Sequence, residues 1–314
     1  MSDYSSTHVL TRILPTLGLL RPSPVRSIGR QQYARRVMPE LPEVETMRRG
    51  IQSVVGGRIE RMEFPRSSLK PIAVGPSRAA VRRRVSGRSI SRIDRLGKRI
   101  LIWLGDDLVQ VIEPRMTGLM LLGEPPDEKY LRVGWHLSAC DSPELWFWDR
   151  RGLGTLTLLT SSELQNRLGP SQVGPDALAL GENDLRERLR MSRRAVKVAL
   201  LDQRAIAGIG NLYASEILFV ARVHPGKPCR RLTRREWTEI DRAVRHVLTE
   251  AVRYEGSTLS DGTYRNALNK TGTYQNHHRV YARAGEPCEN CGAPIRRFVQ
   301  AQRSTFWCGC CQQR

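Results

Sequence analysis

Met38-Pro39-Glu40-Leu41-Pro42-Glu43-Val44-Glu45-Thr46 is the stretch from which the fold can be read outward. Pro42 suits the first turn of a helix, where its missing N–H costs nothing. Glu43 and Glu45 fall at the positive end of the helix dipole. Apolar residues follow at Val44, Met47, Ile51 and Val54/Val55, and Gly56-Gly57 is a stop. Thirty-seven residues precede Met38, with six Arg and no Lys against one Asp. Leu10 to Leu20 has some apolar character, broken by Arg12 and Pro15. Three origins suit this segment: a start codon assigned too far upstream, a processed transit-like peptide, or a permanent tail. Each predicts that residues 1–37 are disordered or absent.

The 314 residues are enough for two domains with sizeable cores. Lys and Arg number 51 against 31 Asp and Glu, a net charge of +20. Residues 1–37 supply +5 of it (six Arg less one Asp), leaving +15 on the remainder. That excess favours a polyanionic partner, DNA or RNA first; a generally basic proteome is the plain alternative. No run of 18 apolar residues exists, so no membrane span is expected. Four of the seven Cys lie in two Cys-x-x-Cys pairs, which points to a metal and a reducing compartment.

From Arg58 to about Thr160 the pattern is short β-type runs. They are Ile100–Leu104, Leu108–Ile112, Leu131–Leu137, Leu145–Trp148 and Leu156–Leu159, separated by turn residues. Many short strands in succession predict an antiparallel sandwich. Leu168-Gly169-Pro170 through Gly174-Pro175 has the composition of a linker, and the chain beyond it is helical. Thr233 to Tyr254 is the clearest helix, with apolar residues at Trp237, Ile240, Val244, Val247/Leu248 and Ala251. A Thr233/Glu236 capping box opens it and Gly256 stops it.

Cys288-x-x-Cys291 and Cys308-x-x-Cys311 are separated by 16 residues, a spacing that suits tetrahedral zinc. Ala301 to Phe306 would form the hairpin tip between them. Cys310 reads as a bystander, and Cys140 and Cys229 as buried or neutral. Lys197 through Asn211 reads as helix, glycine turn, helix. Gly208 and Gly210 would let the backbone approach a ligand, and the helix opening at Asn211 would offer its N–H groups to a phosphate. A purely structural turn is the alternative.

The proline start, the run Leu201-Asp-Gln…Gly208-Ile-Gly-Asn-Leu-Tyr-Ala-Ser-Glu216 and the finger segment Ala301-Gln302-Arg303-x-Thr305-Phe306-x-Cys308 occur in that order. Together they resemble the formamidopyrimidine-DNA glycosylase family from Met38 to Gln312. The resemblance implies an α+β multidomain fold. It divides into an N-terminal antiparallel β-sandwich flanked by helices (38–170), a helical helix-two-turn-helix domain (171–285) and a C-terminal zinc finger (286–314). It implies a bifunctional glycosylase and AP lyase that excises oxidised purines, 8-oxoguanine and formamidopyrimidines, from double-stranded damaged DNA. Catalysis would run through an N-terminal proline Schiff base and β,δ-elimination. Pro39 would be the nucleophile, Glu40 the proton carrier, and Lys98 and Arg303 would grip phosphates and assist elimination. Met116, Arg151 and Leu153 would fill the gap left by the extruded base. Asn211 would bind phosphate, and Lys197, which matches the lysine that opens the motif, would also bind DNA. Cys288, Cys291, Cys308 and Cys311 would hold one structural Zn2+. The loop from Asn266 to Gln275 would cap the base.

Without the resemblance, Glu40 reads as a solvated helix-start carboxylate, Met116 and Leu153 as core, and the basic residues as solvated. Departures from the family pattern are Glu113 for the His of His-Leu-Gly-Met-Thr-Gly, Tyr130 for a His, Ser192 for a Lys, Gly152 for an Arg and Leu153 for a Phe. They bear on phosphate contacts and opposite-base selectivity. Two rival functions are an endonuclease VIII-like enzyme acting on oxidised pyrimidines and a catalytically blocked DNA-binding protein. A monomer in the cytoplasm, associated with the nucleoid, is expected.

Overall fold

The structure, a computed structural model, describes residues 38–258 and 262–313. The expectation for residues 1–37 lies outside them. Helix α1 (Leu41–Gly50) begins where the sequence predicts and carries buried Leu41, Val44 and Met47. It ends earlier than Gly56, because a tighter 3₁₀ turn over Gln52–Val54 takes up its last residues.

Nine strands follow: β1 (Arg58–Glu63), β2 (Ala73–Gly75), β3 (Ile90–Leu96), β4 (Arg99–Leu104), β5 (Leu108–Glu113), β6 (Gly118–Leu121), β7 (Leu131–Ser138), β8 (Glu144–Asp149) and β9 (Thr155–Thr160). They form two sheets, ordered β1-β7-β8-β6 and β2-β9-β5-β4-β3. All pairs are antiparallel except β2 with β9, which is parallel. The inner faces meet in a core that includes Ile59, Ile102, Ile112, Trp135, Phe147 and Leu156. Helix α2 (Arg78–Val85) buries Val81 and Val85 in it. Helix α3 (Ser161–Leu168) covers the outer face beside Leu101, Val111 and Leu159.

The second half is helical: α4 (Asp184–Leu189), α5 (Val196–Leu200), α6 (Asn211–Val220) and α7 (Arg234–Arg253). The Thr233/Glu236 capping box is present, and all the apolar residues predicted for α7 are buried. The finger hairpin, β10 (Ile295–Gln300) and β11 (Arg303–Cys308), has only Ala301 and Gln302 at its tip, both at positive φ. The expected tip was longer; Arg303 to Phe306 are strand instead. Ile295, Phe306 and Cys308 join the same core as α6 and α7, so the finger is docked on the helices. Among the described residues no helix is long and apolar enough to cross a membrane.

Helix α1 belongs to both halves. Leu41 packs into the helical core, whereas Val44 and Met47 pack into the sandwich core. Alongside it, Arg95 bonds Glu45 (Nε to Oε2, 3.0 Å) and grips Asp176 with both terminal nitrogens, Nη2 to Oδ1 at 2.9 Å. One guanidinium thus ties α1, β3 and the linker together.

Candidate active site

Glu40 precedes α1 and is buried. Its carboxylate faces the start of α6, where Leu212 N–H donates to Oε1 (3.0 Å) and Tyr213 N–H to Oε2 (3.4 Å). This corrects the expectation of a vacant anion site: the protein's own carboxylate occupies the helix N-terminus. The glycine turn is shaped for the same contact. Leu41 N–H donates to the Gly208 carbonyl at 3.1 Å. Gly208 has φ +109°, and a Cβ there would lie 2.8 Å from the Leu41 Cβ. A Cβ on Gly210 would lie 2.6 Å from Glu40 Oε2. What approaches closely at this turn is therefore the start of α1.

Burial raises the Glu40 pKa; Lys98 and the α6 backbone N–H groups oppose it. Burial lowers the Lys98 pKa, Glu40 and Glu43 push it up, and Arg303 and Arg99 push it down. A buried acid with a raised pKa that feels the charge of a lysine with a lowered one is an arrangement suited to proton transfer. Pro39, the residue before Glu40, is buried at the same place.

Glu43 holds the Glu40 backbone in a capping box. It accepts from Glu40 N–H (2.9 Å), from Tyr213 Oη–H (2.6 Å) and from Ser257 N–H (2.8 Å). Burial pushes its pKa up to about 6. The expectation that Glu43 makes a helix-start or structural contact holds. Tyr213 was not singled out from the sequence, because 170 residues separate it from Glu43.

Lys197 is almost wholly buried, and its ammonium donates to Asn211 Oδ1 (2.6 Å), Ser304 O (3.1 Å) and Thr305 Oγ1 (2.9 Å). Asn211 Nδ2 donates to Ser304 O at 3.0 Å. Both residues, expected to bind DNA, join α5 and α6 to the strand that begins at Arg303. Burial pushes the Lys197 pKa down to about 7. Arg303 itself is exposed, and its charge is felt at both Lys98 and Lys197.

A second group lies on the sandwich loops. Met116 is in the β5–β6 turn, and Arg151 and Leu153 are in the β8–β9 turn. Buried Asp149 joins the two turns. It accepts from Thr117 Oγ1, from Arg151 N–H (3.1 Å) and from Gly154 N–H (2.7 Å). Thr117 Oγ1 accepts from Arg151 N–H at 3.0 Å. Met116 and Leu153 are each half-buried and Arg151 is exposed. The loop expected to cap the base packs on the ends of α1 and β6: a Cβ on Gly50 would lie 2.6 Å from Ala267 Cβ, Leu122 N–H donates to Ala267 O (2.9 Å), and Tyr274 is buried.

The four predicted cysteines converge. Their Sγ atoms lie within 4.8 Å of one another, with Cys288–Cys311 at 3.9 Å and Cys291–Cys308 at 3.5 Å. A tetrahedron of Zn–S bonds of about 2.3 Å has edges of about 3.8 Å, so the cluster accommodates one zinc. Cys310 is exposed outside the cluster and Cys229 is buried.

Three family models match the chain. The formamidopyrimidine-DNA glycosylase N-terminal domain covers residues 38–156, its H2TH domain 173–263, and the zinc finger found in FPG and IleRS 285–314. The formamidopyrimidine-DNA glycosylase of Chloroflexus aurantiacus is 39% identical over 281 residues, covering 88% of this chain and 98% of that protein. The chain belongs to the formamidopyrimidine-DNA glycosylase family. The Bacillus subtilis glycosylase is 36% identical over 282 residues, with 88% and 100% covered. Among solved glycosylases, wild-type Lactococcus lactis Fpg with DNA containing N7-benzyl-Fapy-dG matches with a TM-score of 0.78 at 32% identity. It covers 88% of this chain and all of that one. The same enzyme with DNA containing an abasic site matches at 0.77 and 30% identity, with the same coverage.

Proposed function

We propose that this chain is a DNA glycosylase of base excision repair that removes oxidised purines and then cleaves the strand. The observation that carries the proposal is buried Glu40, next to Pro39 and held by the α6 N–H groups, with the charge of half-buried Lys98 acting on it. The relatives' names and their complexes with damaged DNA support the substrate class.

The reaction needs a free proline nitrogen. In the chain as written that nitrogen is acylated by Met38, and an amide lone pair is not nucleophilic. The acting form therefore begins at Pro39, where the match to the N-terminal family model also nearly begins. A terminal amine has a pKa of about 8, so a useful fraction is neutral at pH 7. Its lone pair attacks C1′, the bond from C1′ to the base breaks, and the base leaves with a proton. Ring opening produces an iminium, whose positive charge acidifies the 2′ carbon. Loss of that proton expels the 3′ phosphate, and a second elimination expels the 5′ phosphate. Glu40 delivers and collects protons at the sugar. Lys98 and Arg303 neutralise the departing phosphates.

Extrusion of the base costs a few kcal/mol, which Met116, Arg151 and Leu153 offset by filling the stack. Zinc stabilises the finger that carries Arg303. The division at 38–170, 171–285 and 286–314 then separates chemistry, duplex grip and finger, in a monomeric, cytoplasmic enzyme.

Borohydride trapping tests the mechanism. Protein beginning at Pro39 should form a covalent adduct with a duplex bearing 8-oxoguanine, and protein retaining Met38 should not. No adduct from the first form removes the enzyme claim. Preference for thymine glycol over 8-oxoguanine would assign the pyrimidine-directed activity instead.

A further inference from the structure

The β5–β6 turn contains a charge arrangement that the reaction above does not use. Glu113, the last residue of β5, accepts Arg99 Nε at 2.8 Å on one oxygen and Arg115 Nη2 at 2.7 Å on the other. Arg115 adopts φ +54°, a conformation that favours glycine and is unfavourable for any residue with a Cβ. Its side chain is 52% exposed, against 19% for Glu113 and 23% for Arg99. Arg115 immediately precedes Met116, and the next residue, Thr117, is tied to Asp149 and to the Arg151 backbone. Arg99 follows Lys98 in the chain. The three charges sum to +1, and each oxygen of the one carboxylate meets a guanidinium group. A single carboxylate cannot occupy the five N–H donors of Arg115.

We propose that Arg115 binds a DNA backbone phosphate beside the extruded nucleotide, and that Glu113 is the positioning residue that aims it. The proposal rests on the reading of Met116 and Arg151 as the residues that enter the duplex. An arginine next to that entry point lies within reach of the phosphates on either side of the opened step. Glu113 screens none of this attraction, because Arg99 offsets its charge.

Binding to a duplex with a tetrahydrofuran abasic site, measured by fluorescence anisotropy from 50 to 200 mM salt, tests this. Arg115→Gly should lower the slope of log affinity against log salt by about 0.9, the share of one phosphate contact. Affinity should fall about tenfold. Its melting temperature should be unchanged or higher, since glycine accepts this φ. Arg115→Gln, which keeps a polar side chain with a Cβ but removes the charge, should lose the same slope. Glu113→Gln adds one positive charge, so bulk electrostatics demands tighter binding; loss of aim makes binding no tighter than in the unmodified protein. An unchanged slope in both Arg115 variants overturns the phosphate contact. Tighter binding by Glu113→Gln at every salt concentration overturns the positioning role. If the unmodified protein shows no preference for the lesion duplex over intact duplex, the glycosylase reading fails instead, so the two failures are distinguishable.

Discussion

Replacing Gly210 by alanine should separate the chemistry of this protein from its folding. The new Cβ would lie 2.6 Å from Glu40 Oε2, whereas ordinary Cβ contacts begin at 3.4 Å. The carboxylate must therefore retreat by about an ångström, since the atom it meets is the far end of a side chain and the α6 backbone cannot yield. Displacement weakens the bonds from Leu212 and Tyr213 to Glu40. Two hydrogen bonds to a charged group are worth about 1.5–3 kcal/mol each, but partial loss and re-solvation reduce this to a few degrees of melting temperature. The catalytic effect is larger, because a displacement of about an ångström at a reacting group costs about a hundredfold in rate. Single-turnover excision of 8-oxoguanine should accordingly fall about a hundredfold, with duplex affinity within about threefold of the parent. Gly208→Ala should behave differently: φ is +109° and the contact is the Leu41 Cβ, so stability falls with activity. Full excision activity in Gly210→Ala would show that the α6 N-terminus does not set the position of Glu40, and the proposed proton path would go with it.

Other perturbations act on separate parts of the molecule. Asp149→Asn puts an amide against N–H donors from Arg151 and Gly154, and should cost about 1–3 kcal/mol by thermal denaturation. Arg151→Ala should alter the preference for the base opposite the lesion, measured by excision from duplexes with each opposite base, and leave overall affinity nearly constant; equal effects on all four would refute its role. Chelation should release one zinc per chain, measured with a metallochromic dye, and abolish DNA binding, since the finger carries Arg303 and shares a core with α6 and α7. Burial pushes the Glu45 pKa up, but hydrogen bonds from Arg48, Arg49 and Arg95 outweigh this and hold it at about 2. A carboxylate with a depressed pKa stabilises the fold above its unfolded value of 4.5 and loses that contribution as pH falls toward 2. The difference in melting temperature between the parent and Glu45→Gln should therefore be constant near pH 7 and shrink steadily below pH 4.5.

What could be read from the chain follows from how local each signal is. Helix α7 was legible because a capping box and a 3.6-residue apolar period lie within one window. The zinc cluster was legible because its chemistry is written in two short repeats. The parallel pairing of β2 was not, since three residues, Ala73–Gly75, carry no period. The glycine turn was recognised, but its partner was misjudged. Nothing in Gly208-Ile209-Gly210 announces a carboxylate 172 residues away in the chain, the separation between Glu40 and Leu212. The Arg95–Asp176 bracket, 81 residues apart, was missed for the same reason. Asp149 gave no signal either, because its role is to accept hydrogen bonds from neighbouring turns.

The dual allegiance of α1 has a mechanical consequence. Leu41 is anchored among the helices and Val44 and Met47 within the sheets, while Glu43 bonds Tyr213 of α6, so the two halves share a keystone beside Glu40. Any hinge that let the halves part would drag Pro39, the proposed nucleophile, with it. On the proposed mechanism, gripping the duplex and aiming the amine are then one movement, and a loosely seated protein is a silent one.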